Sequence, residues 1–336
     1  MMTKVKRSLT RGLLLTAAAL LTAVWLGGCG GETDVNRIEV NEVTHSVFYA
    51  PFYAAIELGY FADCGLEIAL TNGGGSDNAM TALLTGAADI SLLGPETAVY
   101  VINEGASDPP VIVAQLTKRD GSFLLGKTPQ PDFSWSDLAG QSIIGGRSGG
   151  MPEMTLEYVL KHNGLIPGED LTVRTDVDFD LMSGAFIAGD DGYVTAFEPT
   201  ASTMERAGQG YIVASVGAAA GECPYTCFMV RQSYLEAHRE LVEDFVAAIY
   251  RGQRYVLEHS AAEVAATIAP AFADSDVDLL TAVVQNYQDI DVWKEDPAMR
   301  EADYQQLLAV IREAGVIESG PDFTAIVNNE IAAGVR

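Results

Sequence analysis

The chain contains 336 residues with a formal net charge of −26, and 48% of its residues are hydrophobic. This negative charge repels nucleic acid, so we expect no nucleic-acid partner. The hydrophobic fraction is that of an ordinary globular protein and excludes a disordered chain. The length exceeds what one hydrophobic core usually serves, so we predict two lobes.

The N-terminus has the pattern of an export signal over residues 1–28. A basic stretch that ends at Arg11 precedes an apolar run from Gly12 to Leu26. This run of about fifteen residues is shorter than the roughly twenty that a membrane-spanning helix needs, so we favour a cleaved signal over a permanent anchor. Loss of residues 1–28 removes four positive charges and takes the formal charge from −26 to −30.

The signal ends in Leu26-Gly27-Gly28-Cys29, which resembles the lipobox of bacterial lipoproteins. The resemblance implies cleavage before Cys29 and acyl chains on its thiol and amine, which together hold a protein stably on a membrane. Residues 29–35 would form a short tether. We therefore expect the mature protein on the outer face of the cytoplasmic membrane, anchored by lipid on Cys29.

From residue 36 onward, short β-rich runs alternate with helical patterns, which is typical of α/β layers around a mostly parallel sheet. In the first part of the chain we predict strands at 38–43, 66–70, 90–93 and 111–116, and helices at 51–59, around 80–84 and at 95–105. Further on we predict strands at 142–145, 171–173 and 193–197 and a helix at 152–163. From Ser233 the pattern is mainly helical.

Four predicted helices begin with proline directly after a strand or a glycine loop, at Pro51, Pro95, Pro152 and Pro199. Proline at the first helical position is common in all proteins, so each instance alone means little. Helix N-termini carry free N–H groups and a partial positive charge, and in α/β sheets they lie at the strand ends where ligands bind. Their repeated placement predicts a ligand cleft between two lobes.

Four segments of the chain resemble the solute-binding proteins for nitrate, alkanesulfonates, taurine and thiamine-precursor pyrimidines: Thr44–Phe61, Gly65–Ile68, Leu83–Asp89 and Leu138–Ile143. The resemblance implies a two-lobed α/β fold of the type II periplasmic-binding-protein class, with two crossover strands and the ligand cleft between the lobes. It also implies a monomer that carries a small molecule to an ABC permease and its ATPase, with no cofactor.

Under this resemblance we place the two crossings near Leu116 and near Tyr225–Phe228. Lobe 1 is then discontinuous, with residues 36–115 and 225–336, and lobe 2 is residues 116–224. An enzyme is the alternative, because thiamine-pyrimidine synthases share the fold. A receptor that reports to a membrane sensor is a further alternative.

Aromatic and basic side chains are the first candidates for ligand contacts. Phe48 and Tyr49 stand at the first strand-to-helix junction, where they would stack on a planar ring or simply pack in the core. Arg147, in a glycine loop that opens a helix, suits a carboxylate, sulfonate or phosphate, unless it is an ordinary surface arginine. Arg119 is a weaker candidate, because its Arg-Asp-Gly run is explained as a turn.

Glu96 and Glu198 each fall in the first turn of a proline-started helix, where the helix dipole alone favours a carboxylate. If they face the cleft, they accept hydrogen bonds from amino groups, which favours a nitrogenous heterocycle such as a thiamine-precursor pyrimidine over sulfonate, nitrate or taurine. The full candidate set for ligand binding is Phe48, Tyr49, Ser76, Gly94, Glu96, Arg119, Arg147, Gly149, Gly150, Met151 and Glu198.

The histidines and cysteines suggest neither catalysis nor metal binding. His45 and Ser46 are adjacent, and adjacent residues on a strand point to opposite faces. The other histidines show no metal-ligand spacing. Cys223 and Cys227 could form a disulfide only if Pro224 makes a turn, and we favour buried free thiols. We therefore expect no catalytic residue and no metal site.

Overall fold

The computed structural model describes residues 36–335. The predicted signal peptide, Cys29 and the tether lie outside the described residues. Within residues 36–335, no helix has both the length and the apolar character that crossing a membrane requires.

The described strands form two five-stranded sheets, in the order β2-β1-β3-β10-β4 and β7-β6-β8-β5-β9. We call the halves built on the first and second sheets lobe 1 and lobe 2. The strands are β1 (Asn36–Glu42), β2 (Leu66–Asn72), β3 (Ile90–Leu93), β4 (Pro110–Thr117), β5 (Phe123–Gly126), β6 (Ser142–Ile144), β7 (Thr172–Arg174), β8 (Tyr193–Ala196), β9 (Tyr211–Ser215) and β10 (Thr226–Arg231).

Helices cover both sheets, and the mainly helical character predicted after Ser233 is confirmed. The α-helices are α1 (Ala50–Glu57), α2 (Tyr60–Asp63), α3 (Ser76–Thr85), α4 (Glu96–Asn103), α5 (Met151–His162), α6 (Met182–Ala188), α7 (Thr200–Arg206), α8 (Val216–Ala220), α9 (Gln232–Ala237), α10 (Arg239–Glu258), α11 (Ala261–Ile268), α12 (Val277–Asp289), α13 (Glu301–Glu313), α14 (Phe323–Ile326) and α15 (Asn329–Gly334). Short 3-10 turns lie at Val47–Tyr49, Trp135–Leu138, Phe179–Leu181 and Ala269–Phe272.

The predicted α/β alternation is confirmed, but the prediction of mostly parallel sheets is wrong. Among the described strands, four pairings are parallel and four are antiparallel. The antiparallel pairings all involve β5 and β10, which are the strands that enter a sheet from the other lobe. The order of element types along a sequence does not specify this reversal.

Two segments connect the sheets, one from β4 to β5 and one from β9 through α8 to β10. They run side by side where Thr117 and Thr226 face each other with their Oγ1 atoms 2.8 Å apart. Sheet membership follows the predicted division of the chain, except that β4 of the first sheet runs to Thr117, past the predicted boundary after residue 115. The lobe boundaries themselves stay a prediction. The first crossing segment is also tied to lobe 1 by Lys118, whose Nζ lies 2.9 Å from Asp291 Oδ2.

The core of lobe 1 is dominated by α10, a helix of 20 residues that lies across α1. Phe245 of α10 packs against Phe52, Phe61 and Phe228, with ring centroids 5.1 to 6.4 Å apart. At Gly252 the two helices approach so closely that an added Cβ would lie 2.0 Å from the carbonyl oxygen of Pro51. This contact fixes the position of α1, whose N-terminus borders the ligand cleft.

Candidate ligand-binding cleft

A cavity of about 450 Å³ lies between the two sheets. Its walls come from the segments that follow β1, β2 and β3 in lobe 1 and β6, β7 and β8 in lobe 2, together with the second crossing segment. The size is in the range of small-molecule sites, and the position at the carboxyl ends of strands is where α/β proteins bind ligands.

Besides α1, which has no acidic residue in its first turn, three helices begin at the cavity, and each of these three carries a carboxylate in its first turn. These helices are α3, α4 and α5, and their acidic residues are Asp77, Glu96 and Glu153. A carboxylate at this position is favoured by the helix dipole and compensates its positive end. Glu153 also accepts a hydrogen bond of 3.1 Å from the backbone N–H of Gly149.

Aromatic rings form much of the cavity wall, namely those of Phe48, Tyr49, Phe179, Phe197 and Tyr225. The ring of Phe48 lies 5.7 Å from Phe197 and 5.8 Å from Tyr225, between centroids, so both lobes and the crossing segment meet here. The carbonyl oxygen of Phe48 accepts a 2.9 Å hydrogen bond from Trp293 Nε1, which fixes the backbone of this wall.

Glu96 is the acidic side chain most deeply set in the wall, with 2% of its surface exposed. Burial raises the pKa of its carboxyl group to about 7, against the smaller lowering effects of its own backbone N–H and of Arg147. Its Oε2 atom accepts no hydrogen bond from any described residue. A buried carboxylate without a partner is costly, so this atom is a strong candidate for a ligand contact.

Arg147 and Asp77 form an ion pair across the cleft, with Nη1 and Oδ2 3.1 Å apart. Asp77 belongs to α3 in lobe 1 and Arg147 to the loop before α5 in lobe 2. Both side chains are more than half exposed, so the pair contributes little to stability. Next to it, the Tyr100 hydroxyl donates to the carbonyl oxygen of Gly149 at 3.3 Å, and this bond also joins the lobes.

Glu198 does not line the cavity but holds the lobes together beside it. Its carboxylate accepts hydrogen bonds from the backbone N–H of Ser202 at 2.9 Å, the Ser202 hydroxyl at 2.7 Å and Asn286 Nδ2 at 2.7 Å. Its carbonyl oxygen accepts a 3.0 Å bond from the hydroxyl of Ser46. Glu198 therefore caps α7 in lobe 2 and links it to α12 and to the β1–α1 junction of lobe 1.

The structure brings most of the predicted ligand residues to one cavity. The residues at its wall are Phe48, Tyr49, Ser76, Gly94, Glu96, Arg147, Gly150 and Met151. Arg119, Gly149 and Glu198 do not line it. The Arg119 guanidinium lies in the first crossing segment, 3.5 Å from Glu222 and 3.9 Å from Asp291, so structural contacts already occupy it.

Several wall residues were not in the predicted set, namely Val43, Thr44, Ser46, Thr175, Asp178, Phe179, Phe197, Tyr225 and Thr226. Two signals in the sequence pointed to some of them. Ser46 begins the helical turn before Pro51 and accepts a 3.2 Å hydrogen bond from the N–H of Phe48, as a capping serine does. Tyr225 and Thr226 fall within the predicted second crossing.

His45 lies behind the cavity wall in a structural cluster. Its Nδ1 is 2.9 Å from a carboxylate oxygen of Glu42 and its Nε2 is 2.8 Å from the carbonyl oxygen of Ala271. Both partners can accept hydrogen bonds from the ring, and the Tyr53 hydroxyl oxygen also lies 3.0 Å from Nδ1. The hydrogen bond with Glu42 raises the pKa of His45 above its usual 6.5. A ring engaged in this way has no free nitrogen to activate a nucleophile.

The cysteines and acidic residues show no other reactive arrangement in the described part of the chain. Cys223 and Cys227 are buried and free, in line with the prediction. Burial raises the pKa of both thiols well above the usual value, so neither is a thiolate at neutral pH. Among residues 36–335, no group of three or more histidine, cysteine or acidic side chains is placed to hold a metal ion.

Comparison with known proteins identifies relatives over nearly the whole chain. A protein of Bacillus subtilis (strain 168), YtlA, is named as a binding protein and is 38% identical over 310 residues, which cover 92% of this chain and 93% of that protein.

Among solved structures, the periplasmic nitrate-binding protein NrtA from Synechocystis PCC 6803 superposes with a TM-score of 0.72 at 15% identity, over 90% of this chain and 88% of that one. The alkanesulfonate-binding protein SsuA from Xanthomonas axonopodis pv. citri superposes with a TM-score of 0.69 at 15% identity, over 87% and 98%. These similarities show the predicted periplasmic-binding-protein fold.

The names of these relatives and structural neighbours are those of binding proteins, not of enzymes, which supports the prediction of a binding protein. The family model described as "NMT1/THI5 like" matches residues 47–263, which include α1 and the turn just before it, the Arg147 loop and the second crossing segment. Together with the similarity to YtlA over most of both chains, this match shows that the chain belongs to the NMT1/THI5-like family.

Proposed function

We propose that this protein is the extracytoplasmic solute-binding component of an ABC import system. It captures a small molecule by closure of its two lobes and delivers the molecule to a permease and its ATPase. The observation that carries the proposal is the cavity of about 450 Å³ between the two lobes, with wall segments from both. A site divided between two lobes couples ligand contacts to lobe closure, because only the closed form makes all of them.

The ligand proposed here is a nitrogenous heterocycle such as a thiamine-precursor pyrimidine. Aromatic rings from both lobes offer faces on which a planar ring stacks. Glu96 offers a buried acceptor to an amino group. A sulfonate, nitrate or taurine is the second candidate. It is favoured because solved proteins with the same fold are named as alkanesulfonate-binding and nitrate-binding proteins.

We expect a thiamine-precursor aminopyrimidine to raise the melting temperature of the purified protein. A ligand that binds only the folded state adds about 2.7 kcal/mol of stability at a hundredfold excess over its Kd. Differential scanning fluorimetry with the hydroxymethyl aminopyrimidine precursor of thiamine, ethanesulfonate, taurine and nitrate measures this. Stabilisation by an anion alone would favour the second candidate, and no stabilisation by any of the four would contradict the proposal.

A lipid anchor at Cys29 fits this function. Tethering holds the binding lobes near a membrane partner at a high effective concentration. The Cys29→Ser variant should appear in the soluble fraction while its ligand-induced melting shift equals that of the wild type, because the cavity lies in residues that follow the tether. Fractionation of cells that express each form tests this, and a wild-type protein found in the soluble fraction would refute the anchor.

A further inference from the structure

Glu96 combines burial with an unused hydrogen-bonding atom inside the proposed cavity. Its side chain is 2% exposed, and its Oε2 has no hydrogen-bond partner among the described residues. We propose that Glu96 determines which class of solute is bound: Oε2 accepts a hydrogen bond from an N–H group of the solute, so the cavity selects amino-bearing or cationic nitrogenous molecules and rejects oxyanions. This inference rests on the proposed function and deepens it.

The backbone before Glu96 holds the carboxylate in place. A Cβ added to Gly94 would lie 2.1 Å from Oε2 and 2.5 Å from Oε1, so the carboxylate folds back over a residue that has no side chain. Thr97 closes the same turn by donating its hydroxyl to the Gly94 carbonyl oxygen at 2.7 Å. The carboxylate is therefore positioned by its own helix start, independently of any distant partner.

The charges around Glu96 leave little for an anion to bind. Arg147 is the single cationic side chain among the described residues of the cavity wall, and it is already paired with Asp77. Two further acids, Asp178 and Asp180, also line the cavity. An oxyanion would meet the buried carboxylate of Glu96 and the exposed ones of Asp178 and Asp180, with no unpaired cationic side chain among the described wall residues. Like charges repel, and most strongly where they are buried.

The helix N-termini at the cavity do not reverse this preference. Such N-termini attract anions in many proteins, but α3, α4 and α5 each carry their own acid in the first turn. In α5, the Glu153 carboxylate already accepts a hydrogen bond from the backbone N–H of Gly149. The fourth helix at the cavity, α1, has no such acid. There the N–H groups of Tyr49 and Ala50 already donate to backbone oxygens, and Pro51 has no N–H. The aromatic wall adds to the preference, since ring faces attract cations and polarised N–H groups.

Affinity measurements on matched probes and variants test the inference. The probes are the hydroxymethyl aminopyrimidine precursor of thiamine, the same pyrimidine without its amino group, ethanesulfonate and nitrate. Each is titrated into the purified protein by calorimetry at about pH 8, above the Glu96 pKa of about 7, so that the carboxylate is charged. The wild type should bind the aminopyrimidine about 10- to 100-fold more tightly than the ring without the amino group, as expected for one charge-assisted hydrogen bond. It should bind the two anions more weakly still.

The Glu96→Leu variant should bind the aminopyrimidine about 10- to 100-fold more weakly than the wild type does. It should also bind the aminopyrimidine and the ring without the amino group equally well. Glu96→Gln keeps an acceptor oxygen without the charge, so its affinity for the aminopyrimidine should lie between those of the wild type and Glu96→Leu. Glu104→Gln, which removes an exposed carboxylate at the far end of α4 and away from the cavity wall, is the matched control and should change the affinity less than about threefold.

A second measurement separates ligand selection from a structural role. Burial raises the pKa of Glu96 to about 7, so the folded state disfavours the charged form. Stability linked to this group is present below its usual pKa of 4.5 and is lost as the pH rises to about 7. Glu96→Gln should thus melt higher than the wild type at about pH 8, and the gain should shrink at about pH 5.

The outcomes are distinguishable. The inference is overturned if Glu96→Leu binds the aminopyrimidine as tightly as the wild type, if the wild type binds ethanesulfonate or nitrate more tightly than any nitrogenous probe, or if both Glu96 variants melt lower than the wild type at every pH. If the wild type binds none of the probes, the proposed function itself fails.

Discussion

Replacement of Glu198 with alanine should lower the free energy of unfolding by about 3 kcal/mol, and it should also loosen the closed arrangement of the lobes. The buried carboxylate accepts three hydrogen bonds, two from Ser202 and one from Asn286. Truncation removes the acceptor of the Ser202 N–H and hydroxyl and of Asn286 Nδ2, and Asn286 keeps a longer hydrogen bond of 3.3 Å to the Ser202 hydroxyl oxygen. Truncation also removes the hydrogen bond that caps the N-terminus of α7, so both effects lower the free energy of unfolding.

Urea unfolding and small-angle X-ray scattering together measure this effect. The radius of gyration of Glu198→Ala should exceed that of the wild type, because the carboxylate joins α7 of lobe 2 to α12 of lobe 1. Glu205→Ala is the matched control, since Glu205 lies on the same helix, is exposed, and accepts only a 3.1 Å bond from Ile212 N–H within lobe 2. The control should cost under about 1 kcal/mol and leave the radius unchanged. Equal losses in the two variants would show that Glu198 has no special role.

Replacement of Gly252 with alanine should cost about 3 kcal/mol of stability, because α10 and α1 meet there backbone to backbone. The added Cβ would lie 2.0 Å from the carbonyl oxygen and 3.0 Å from the carbonyl carbon of Pro51. Neither atom belongs to a flexible side chain, so one helix has to move. The moving helix is expected to be the short α1, and Tyr49 at its start would move with it.

Gly184→Ala provides the control for Gly252→Ala. Gly184 also lies within a helix, α6, and nothing is within 4 Å of the Cβ that it would gain. This substitution should stabilise the protein by about 0.5–1 kcal/mol, because alanine loses less backbone entropy in a helix than glycine. Unfolding in urea, followed by circular dichroism, measures both variants. Effects of the same sign would contradict the close-contact explanation.

Much of the fold could be predicted because local signals agree along the chain. The strand at residues 90–93 was predicted at its observed bounds, and α5 to within one residue, since proline, glycine and apolar spacing all mark the same limits. The strands Phe123–Gly126 and Tyr211–Ser215 were missed. The first is only four residues long and follows a turn. It pairs with β8 and β9, and these partners lie far away in the sequence.

The candidate site could be located for a similar reason, and its chemistry could not. Strand-to-helix junctions converge at one sheet edge, so Ser76, Gly94 and Arg147 were placed at the cavity by topology alone. Glu96 and Glu198 looked equivalent in sequence, each in the first turn of a proline-started helix. In the structure Glu96 is the first residue of α4, whereas Glu198 precedes Pro199 and lies before α7, not in its first turn. Asn286, 88 residues along the chain, satisfies Glu198, whereas Oε2 of Glu96 has no such partner among the described residues.

The direct contacts between the lobes also bear on how fast a solute comes and goes. Ser46 with Glu198, Tyr100 with Gly149 and Arg147 with Asp77 all join protein to protein beside the cavity. Under the proposed function these contacts have to break whenever the lobes separate, so they form part of the kinetic barrier to solute release.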